Sequence, residues 1–314
     1  MTNLPNLFVI GAMKSATTSL CTYLGQHPEI FMSLEKEPFY FVEGREFLTD
    51  KTSLPIRPDK KLQPSNMGSG EYTSREKYLS LFAAGNTHKY RAEGTPLYLP
   101  DPKAAERIYS VSPNAKLVAV LRNPIARAYS AYTFQKSFNR EPADSFGEAL
   151  KSEISGERDN WWYGWRYFHT GQYAQQIRRF QEVFGADSLL VLKHEDLRDQ
   201  PAETLRRVFT FLDIDPSPTI NFNRASNVTK IRSPFVTWSY VNLYSENPLK
   251  NALKTVLPLS FRKSLHKKIR NLVESIGSSP APMREQDRKL LQELYTPEIS
   301  EIEELLGWDP TGWH

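Results

Sequence analysis

The stretch that most constrains this chain is residues 7–19, LFVIGAMKSATTS. Four apolar residues (Leu7, Phe8, Val9, Ile10) read as a strand, Gly11 as a tight turn, and Lys14, Ser15, Ala16, Thr17, Thr18 and Ser19 as the opening of a helix that continues through Leu20 and Leu24. At a strand–loop–helix junction the first N–H groups of the helix lack partners and sit at the positive end of its dipole. A phosphate placed there gains hydrogen bonds and charge compensation together, and a lysine and four hydroxyls add to both. A helix capped by Ser and Thr after any buried strand has the same composition, so the junction alone leaves both readings open.

The spacing is not that of the common phosphate loops. A Walker-type loop needs Gly, four residues, then Gly-Lys-Ser/Thr, whereas Lys14 follows Gly11 with no second glycine before it. The dinucleotide pattern G-x-G-x-x-G is absent as well. A nucleotide kinase also wants a metal-binding Asp at the end of a second strand, yet the best such strand, Lys116–Leu121, ends in Arg122.

With 314 residues, 39% of them apolar, the chain can build one α/β domain over 1–314. Its longest aliphatic run, 117–121, is far short of the roughly 20 residues a membrane span needs. The N-terminus lacks the basic start and apolar core of a secretory signal, and a single cysteine, Cys21, fits a reducing compartment. We therefore expect a cytoplasmic protein. The net charge of +4 is unevenly distributed: residues 247–273 carry Lys250, Lys254, Arg262, Lys263, Lys267, Lys268 and Arg270 and no acid. That is either a solvated helical face or a surface for an anionic polymer or lipid headgroups. No nucleic-acid-binding motif accompanies it.

Along the chain, 30–33 reads as a short strand, and Glu35-Lys36-Glu37 then meets the aromatic run Pro38-Phe39-Tyr40-Phe41. A carboxylate against apolar rings has its charged form disfavoured, which makes it a candidate general base; a charged turn before a packed aromatic strand is the alternative. Residues 44–75, rich in Pro, Gly and Lys, read as a long loop and candidate lid. Helices are expected over 76–84, 102–110, 124–138, 173–184, 201–212, 284–295 and 297–306, and strands over 90–93, 116–121 and 189–192. Three tryptophans fall within 160–169, a core contact or an acceptor-lining cluster. His194, next to Glu195 and Asp196, is expected to bond locally, since no metal-ligand spacing accompanies it. Residues 221–234 form a polar loop with Lys230 and Arg232, and 235–283 a basic helical segment. Alternating strands and helices give an α/β fold of three layers around a parallel sheet, whose ligands bind at the carboxyl ends of the strands. Lys14 and Arg122 both lie at such ends.

These features in this order resemble the sulfotransferase family that uses 3′-phosphoadenosine 5′-phosphosulfate (PAPS), and most closely its heparan-sulfate and carbohydrate type. GAMKSATTSL is similar to the loop for the 5′-phosphosulfate, and KLVAVLRNPIARAYSAY to the 3′-phosphate strand and helix. The pattern of Tyr173, Phe184, 189–192 and Glu195-Asp196-Leu197 matches as well, as does the closing LLGWDPTGW. The resemblance implies a P-loop-like nucleotide-binding fold and a metal-independent transfer of sulfuryl to an acceptor hydroxyl. It places Lys14 at the bridging oxygen, Lys14, Ser15, Ala16, Thr17, Thr18 and Ser19 around the 5′-phosphate, and Arg122 and Ser130 at the 3′-phosphate. Lys230 and Arg232 stand in the late loop that covers the cofactor. EKEPFYF puts the base on Glu37. Cytosolic relatives use a histidine after a later strand, where this chain has Glu93 and Gly94, so Glu93 is the alternative base. Vertebrate heparan enzymes carry a lysine where Gly94 stands, which leaves Lys36 to supply a second cation. A carbohydrate acceptor is the first expectation and an aryl or alkyl alcohol the second. A magnesium-dependent nucleotide kinase and a non-enzymatic module binding anionic polymers through 247–273 are the rivals.

Overall fold

Uncharged aliphatic runs buried on both faces build parallel sheets rather than half-exposed ones, and the centre of this fold is made of them. In the computed structural model, residues 4–42, 54–57, 60–62, 74–137, 140–224, 280–308 and 313 are described. β1 (Leu7–Gly11) leads through α1 (Thr17–Leu24) to β2 (Ile30–Met32). An antiparallel pair, β3 (Leu54–Arg57) and β4 (Lys60–Leu62), precedes α2 (Arg75–Ser80), β5 (Tyr90–Gly94), α3 (Ala104–Val111) and β6 (Lys116–Leu121). Next come α4 (Pro124–Ser137), α5 (Phe146–Ile154), α6 (Tyr173–Phe184), β7 (Leu189–Lys193), α7 (His194–Asp199), α8 (Pro201–Phe211) and α9 (Glu285–Leu306).

The main sheet has five parallel strands in the order β2-β5-β1-β6-β7. Alternate residues of its central strands feed two cores. Phe8, Ile10, Leu117, Ala119 and Leu121 pack with Ile108 of α3, Ala128 of α4 and Ile177 of α6. Leu7, Val9, Val118 and Val120 pack on the opposite face with Leu20 of α1 and Leu205 and Val208 of α8. Each large aliphatic side chain buried in this way contributes about 1.5–3 kcal/mol relative to exposure. The result is a three-layer α/β fold. From β1 the chain proceeds to β2 and β5 on one side of the sheet, and from β6 to β7 on the other. The carboxyl ends of the neighbours β1 and β6 therefore flank the point where the connections diverge, which is where open α/β sheets bind ligands.

Several local expectations are corrected. Gly11 ends β1 rather than forming a turn; a Cβ there would lie 2.6 Å from Leu99 Cβ, so its role is close approach. The helix expected over 76–84 stops at Ser80 and gives way to a short turn at Ala83–Gly85. Pro102 lies outside α3 rather than in its first turn. The helices expected on either side of residue 296 are one, α9, with Pro297 inside it. Proline removes one hydrogen bond, but Leu291, Tyr295, Ile299 and Ile302 of α9 are all buried, and packing outweighs that loss. The expected long loop contains the β3–β4 pair, and the rest of 44–73 lies outside the described residues. So do Lys230, Arg232 and the basic segment 247–273. Among the described residues, no helix is long and apolar enough to cross a membrane.

In the aromatic stretch after α5, Trp165 and Tyr167 are fully buried in the core, and Trp161, Trp162, Tyr163 and Phe168 pack against it half-buried. Arg158, almost fully buried, donates from Nη2 to Glu141 Oε1 at 2.8 Å and from Nη1 to Glu141 Oε2 at 3.1 Å, and the Tyr167 hydroxyl donates to the same carboxylate. Removing one partner strands a buried charge. Glu141→Ala is therefore expected to lower unfolding stability by about 3–5 kcal/mol in urea titrations; a loss within the scatter of surface substitutions would show that the pair is solvated.

Candidate active site

The loop joining β1 to α1 is held in an unusual backbone conformation. Lys14 has φ 69° and Ala16 φ 63°, left-handed values for residues that carry a Cβ. Each costs about 1–3 kcal/mol, and such residues cluster where a loop is shaped around a ligand. Between them Ser15 is fully buried, and among the described residues its Oγ has no hydrogen-bond partner. A buried hydroxyl left unsatisfied costs about 1–3 kcal/mol. Ala16 occupies the N-cap of α1 and supplies no side-chain cap. The Ser and Thr residues are thus not caps, and the N–H groups of Thr17, Thr18 and Ser19 open the helix without intrahelical acceptors. Thr18 and Ser19 are half-buried and Thr17 is buried. An orphaned hydroxyl, an uncapped helix start and a lysine fit a phosphate-bearing molecule, which has acceptors for all of them.

The second cluster touches the first. Arg122, just past β6, donates from Nη1 to the Lys14 carbonyl at 3.2 Å. Asn123 caps α4 through Oδ1, which accepts from the N–H groups of Ile125 at 3.0 Å and Ala126 at 3.1 Å. Unlike α1, α4 thus has its opening amides satisfied within the protein, and an anion here has to be held by side chains. Arg122 and the half-buried Ser130, two turns along α4, are available for that. Arg127, which the sequence places on the same helix, is instead fully buried and donates to the Tyr167 carbonyl.

The Lys14 ammonium lies 4.1 Å from the centre of the Phe134 ring. Its pKa is lowered to about 8, first by burial and then by the positive charges of Arg122 and Lys36, while Glu37 pulls the other way. Burial likewise lowers that of Arg122. Lys14, Arg122, Lys36 and Glu37 therefore share one electrostatic neighbourhood, drawn from three separate stretches of sequence. Glu37 Oε1 lies 3.0 Å from Lys36 Nζ, and its side chain keeps 28% exposure.

The carboxylate whose proton affinity is raised by aromatic surroundings is Glu93. It is fully buried, and its Oε1 accepts from the hydroxyls of Tyr78 and Tyr98, each at 2.7 Å, while Oε2 accepts from Thr95 at 2.7 Å. Burial pushes its pKa up to about 7 against those three hydroxyls. Gly94 follows, and a Cβ there would lie 2.4 Å from Cys21 Sγ on α1. The space a side chain at 94 needs is filled by the thiol. His194 Nδ1 lies 3.6 Å from Glu195 Oε1, too far for a hydrogen bond. Among the described residues no group of three or more His, Cys, Asp or Glu gathers to hold a metal.

One contributor is not apparent from spacing. Trp313 is buried, its carbonyl accepts from Asn123 Nδ2 at 3.0 Å, and its ring nitrogen is 3.4 Å from Glu195 Oε2. Tyr173 of α6 donates to the Arg122 carbonyl at 3.0 Å. The end of the chain thus braces the turn that carries Arg122. Its only signal in the sequence is the tryptophan-rich closing stretch.

Comparison with known proteins agrees with this geometry. The chain is 26% identical over 228 residues to "Bifunctional heparan sulfate N-deacetylase/N-sulfotransferase 1" of Caenorhabditis briggsae, covering 69% of this chain and 23% of that protein. It is 28% identical over 255 residues to "Carbohydrate sulfotransferase 15" of Rattus norvegicus, covering 68% and 44%. It thus spans less than half the length of either. A solved structure, a sulfotransferase from Alicyclobacillus acidocaldarius, superposes with a TM-score of 0.68 at 26% identity, covering 98% of both chains. The sequence pattern of the Sulfotransferase family matches residues 5–218, which takes in both phosphate-type clusters and all five strands of the main sheet, and the chain belongs to that family.

Proposed function

We propose that this protein transfers a sulfuryl group from PAPS to a hydroxyl of a carbohydrate or glycoconjugate acceptor, with Glu37 as general base. The observation that carries the proposal is the buried, unpartnered Ser15 Oγ at the uncapped start of α1, tied through Lys14 to Arg122. Two anion sites joined by one hydrogen bond suit a donor with phosphates at both ends of its nucleoside. The donor supplies the sulfuryl group on a phosphate leaving group. Lys14 neutralises charge on that leaving oxygen, with Ser15, Ala16, Thr17, Thr18 and Ser19 holding the 5′-phosphate through amides and hydroxyls. Arg122 and Ser130 hold the 3′-phosphate, which distinguishes this donor from ATP. Glu37 accepts the acceptor's proton as its oxygen attacks in line. Lys36 is the second cation in place of a lysine at position 94. Glu93 has the pKa of a general base but not its placement: it is fully enclosed and both its oxygens are engaged, so an acceptor hydroxyl cannot reach it. The carbohydrate acceptor rests on the relatives' names, and the "N-sulfotransferase" among them gives transfer to a sugar amine as a second reading. A reducing, cytoplasmic setting suits the single half-buried, free thiol.

The test has two stages. In a thermal shift without metal, 3′-phosphoadenosine 5′-phosphate at about 100 times its Kd is expected to stabilise the fold by roughly 2.7 kcal/mol, a shift of several degrees that ADP does not match. A shift with magnesium-ATP alone would make the chain a kinase, and no shift with any nucleotide would favour a binding module. Transfer of labelled sulfate from PAPS to a desulfated glycosaminoglycan, its N-acetylated form and a simple phenol then separates hydroxyl, amine and aryl acceptors.

The lowered pKa of Lys14 predicts the pH dependence of binding. Below about 8 the ammonium is charged and affinity for 3′-phosphoadenosine 5′-phosphate is flat; above it, affinity falls by up to tenfold per pH unit as the charge is lost. Titration calorimetry across that range reads it directly, and flat affinity on the alkaline side would remove Lys14 from the phosphate site.

A further inference from the structure

The segment that presents Glu37 belongs to no helix or strand, and it holds two side-chain-bearing residues at positive φ, Glu37 at 54° and Phe39 at 56°. Such a conformation persists only where its surroundings impose it. What surrounds it here is a wall of rings. Tyr40 stacks on Tyr78 with centroids 4.1 Å apart and planes 6° from parallel. Phe41 meets Tyr78 edge-on at 5.5 Å and Tyr98 at 5.8 Å. The Phe41 N–H points to the Tyr98 hydroxyl at 3.5 Å.

Both tyrosines are fully buried, and both hydroxyls end on one atom, Glu93 Oε1. Glu93 lies in β5, paired with β1 in the register Phe8↔Glu93, and its backbone is thus held within the main sheet. A chain of contacts therefore runs from the sheet through Glu93 to Tyr78 and Tyr98, on to Tyr40 and Phe41, and so to Glu37. In its ionised form Glu93 suits the hub because a carboxylate only accepts: three hydroxyl donors converge on its two oxygens, and an amide would turn a donor toward one of them.

We propose that Glu93 is the positioning residue of the base, acting through Tyr78 and Tyr98 to hold the 37–41 segment in its strained, reactive shape. The inference rests on Glu37 being the base. Glu93 touches neither donor nor acceptor. Its substitution changes turnover through Glu37 alone.

The test is a double-mutant cycle on kcat, with affinity for 3′-phosphoadenosine 5′-phosphate measured alongside. Glu93→Gln is expected to lower kcat by about 10²-fold, the effect of misplacing a reacting group by about 1 Å, with nucleotide affinity unchanged. Added to Glu37→Gln it is expected to lower the residual turnover no further, because there is no base left to misplace. Tyr78→Phe, which keeps the ring and removes one donor, is expected to give a smaller loss of the same kind and serves should Glu93→Gln fail to fold. Independent losses that multiply in the double variant, or a fall in nucleotide affinity with Glu93→Gln or Tyr78→Phe, would overturn the inference. Full turnover in both of those variants would overturn it as well. Glu37→Gln with normal turnover is a different failure, since it removes the base itself.

Discussion

Glu37→Gln is expected to lower kcat by about 10²–10⁴-fold, the range that general base catalysis contributes, while leaving affinity for 3′-phosphoadenosine 5′-phosphate where it was. The amide has the shape of the acid and cannot take a proton. The other consequence of the change is loss of the pair with Lys36, whose side chain is 60% exposed. An exposed pair of that kind is worth no more than about 1 kcal/mol, too little to alter the fold. Separating nucleotide affinity by calorimetry from turnover by sulfate transfer makes the outcome specific. Turnover within a few-fold of the parent would take the base away from Glu37.

Lys14→Ala is expected to act on both quantities. It removes the cation facing the leaving phosphate, so nucleotide affinity should fall by about 10–100-fold, the worth of a hydrogen bond to a charged group. The transition state, with more charge on the leaving oxygen, should suffer further, by about 10²–10³ in kcat. Stability should change little, because Ala keeps the backbone of a residue that is only half-buried. Lys14→Arg is the informative companion. A guanidinium stays charged throughout the accessible range, so any affinity it retains should lose its alkaline decline. Tight nucleotide binding by Lys14→Ala would leave the 5′-phosphate to the amides and hydroxyls of the loop, without its lysine.

The parts of this fold legible in the sequence are those that depend on neighbours along the chain. The uncharged run of 117–121 declares a doubly buried strand, and α6 runs from Tyr173 to Phe184 as its periodicity and Gly185 require. Lys14 and Arg122 are legible as a pair because each follows a strand directly, and strands of a parallel sheet end on one side. What sequence does not carry is set across distance. Nothing local announces that Pro297 sits inside a helix, since that depends on what buries Tyr295 and Ile299. The positive φ of Lys14 and Ala16 contradicts their own propensities and is imposed by the junction. Glu93 could be singled out by position, but that the hydroxyls of Tyr78, on α2, and Tyr98, in the turn after β5, both close on its Oε1 is visible only in the folded chain. Trp313 reaches the turn at Arg122 from the far end of the chain.

The packing of Cys21 Sγ against Gly94 also bears on the order in which this site can evolve. A lysine at 94 would place its Cβ 2.4 Å from that thiol, so Cys21 has to move or be replaced for it to enter. Replacing Cys21 first, by glycine or alanine, opens the space at the expense of a small void; the reverse order passes through an overpacked intermediate. The two positions are therefore epistatic, and in a mutational library lysine at 94 should be enriched in clones that have lost the cysteine.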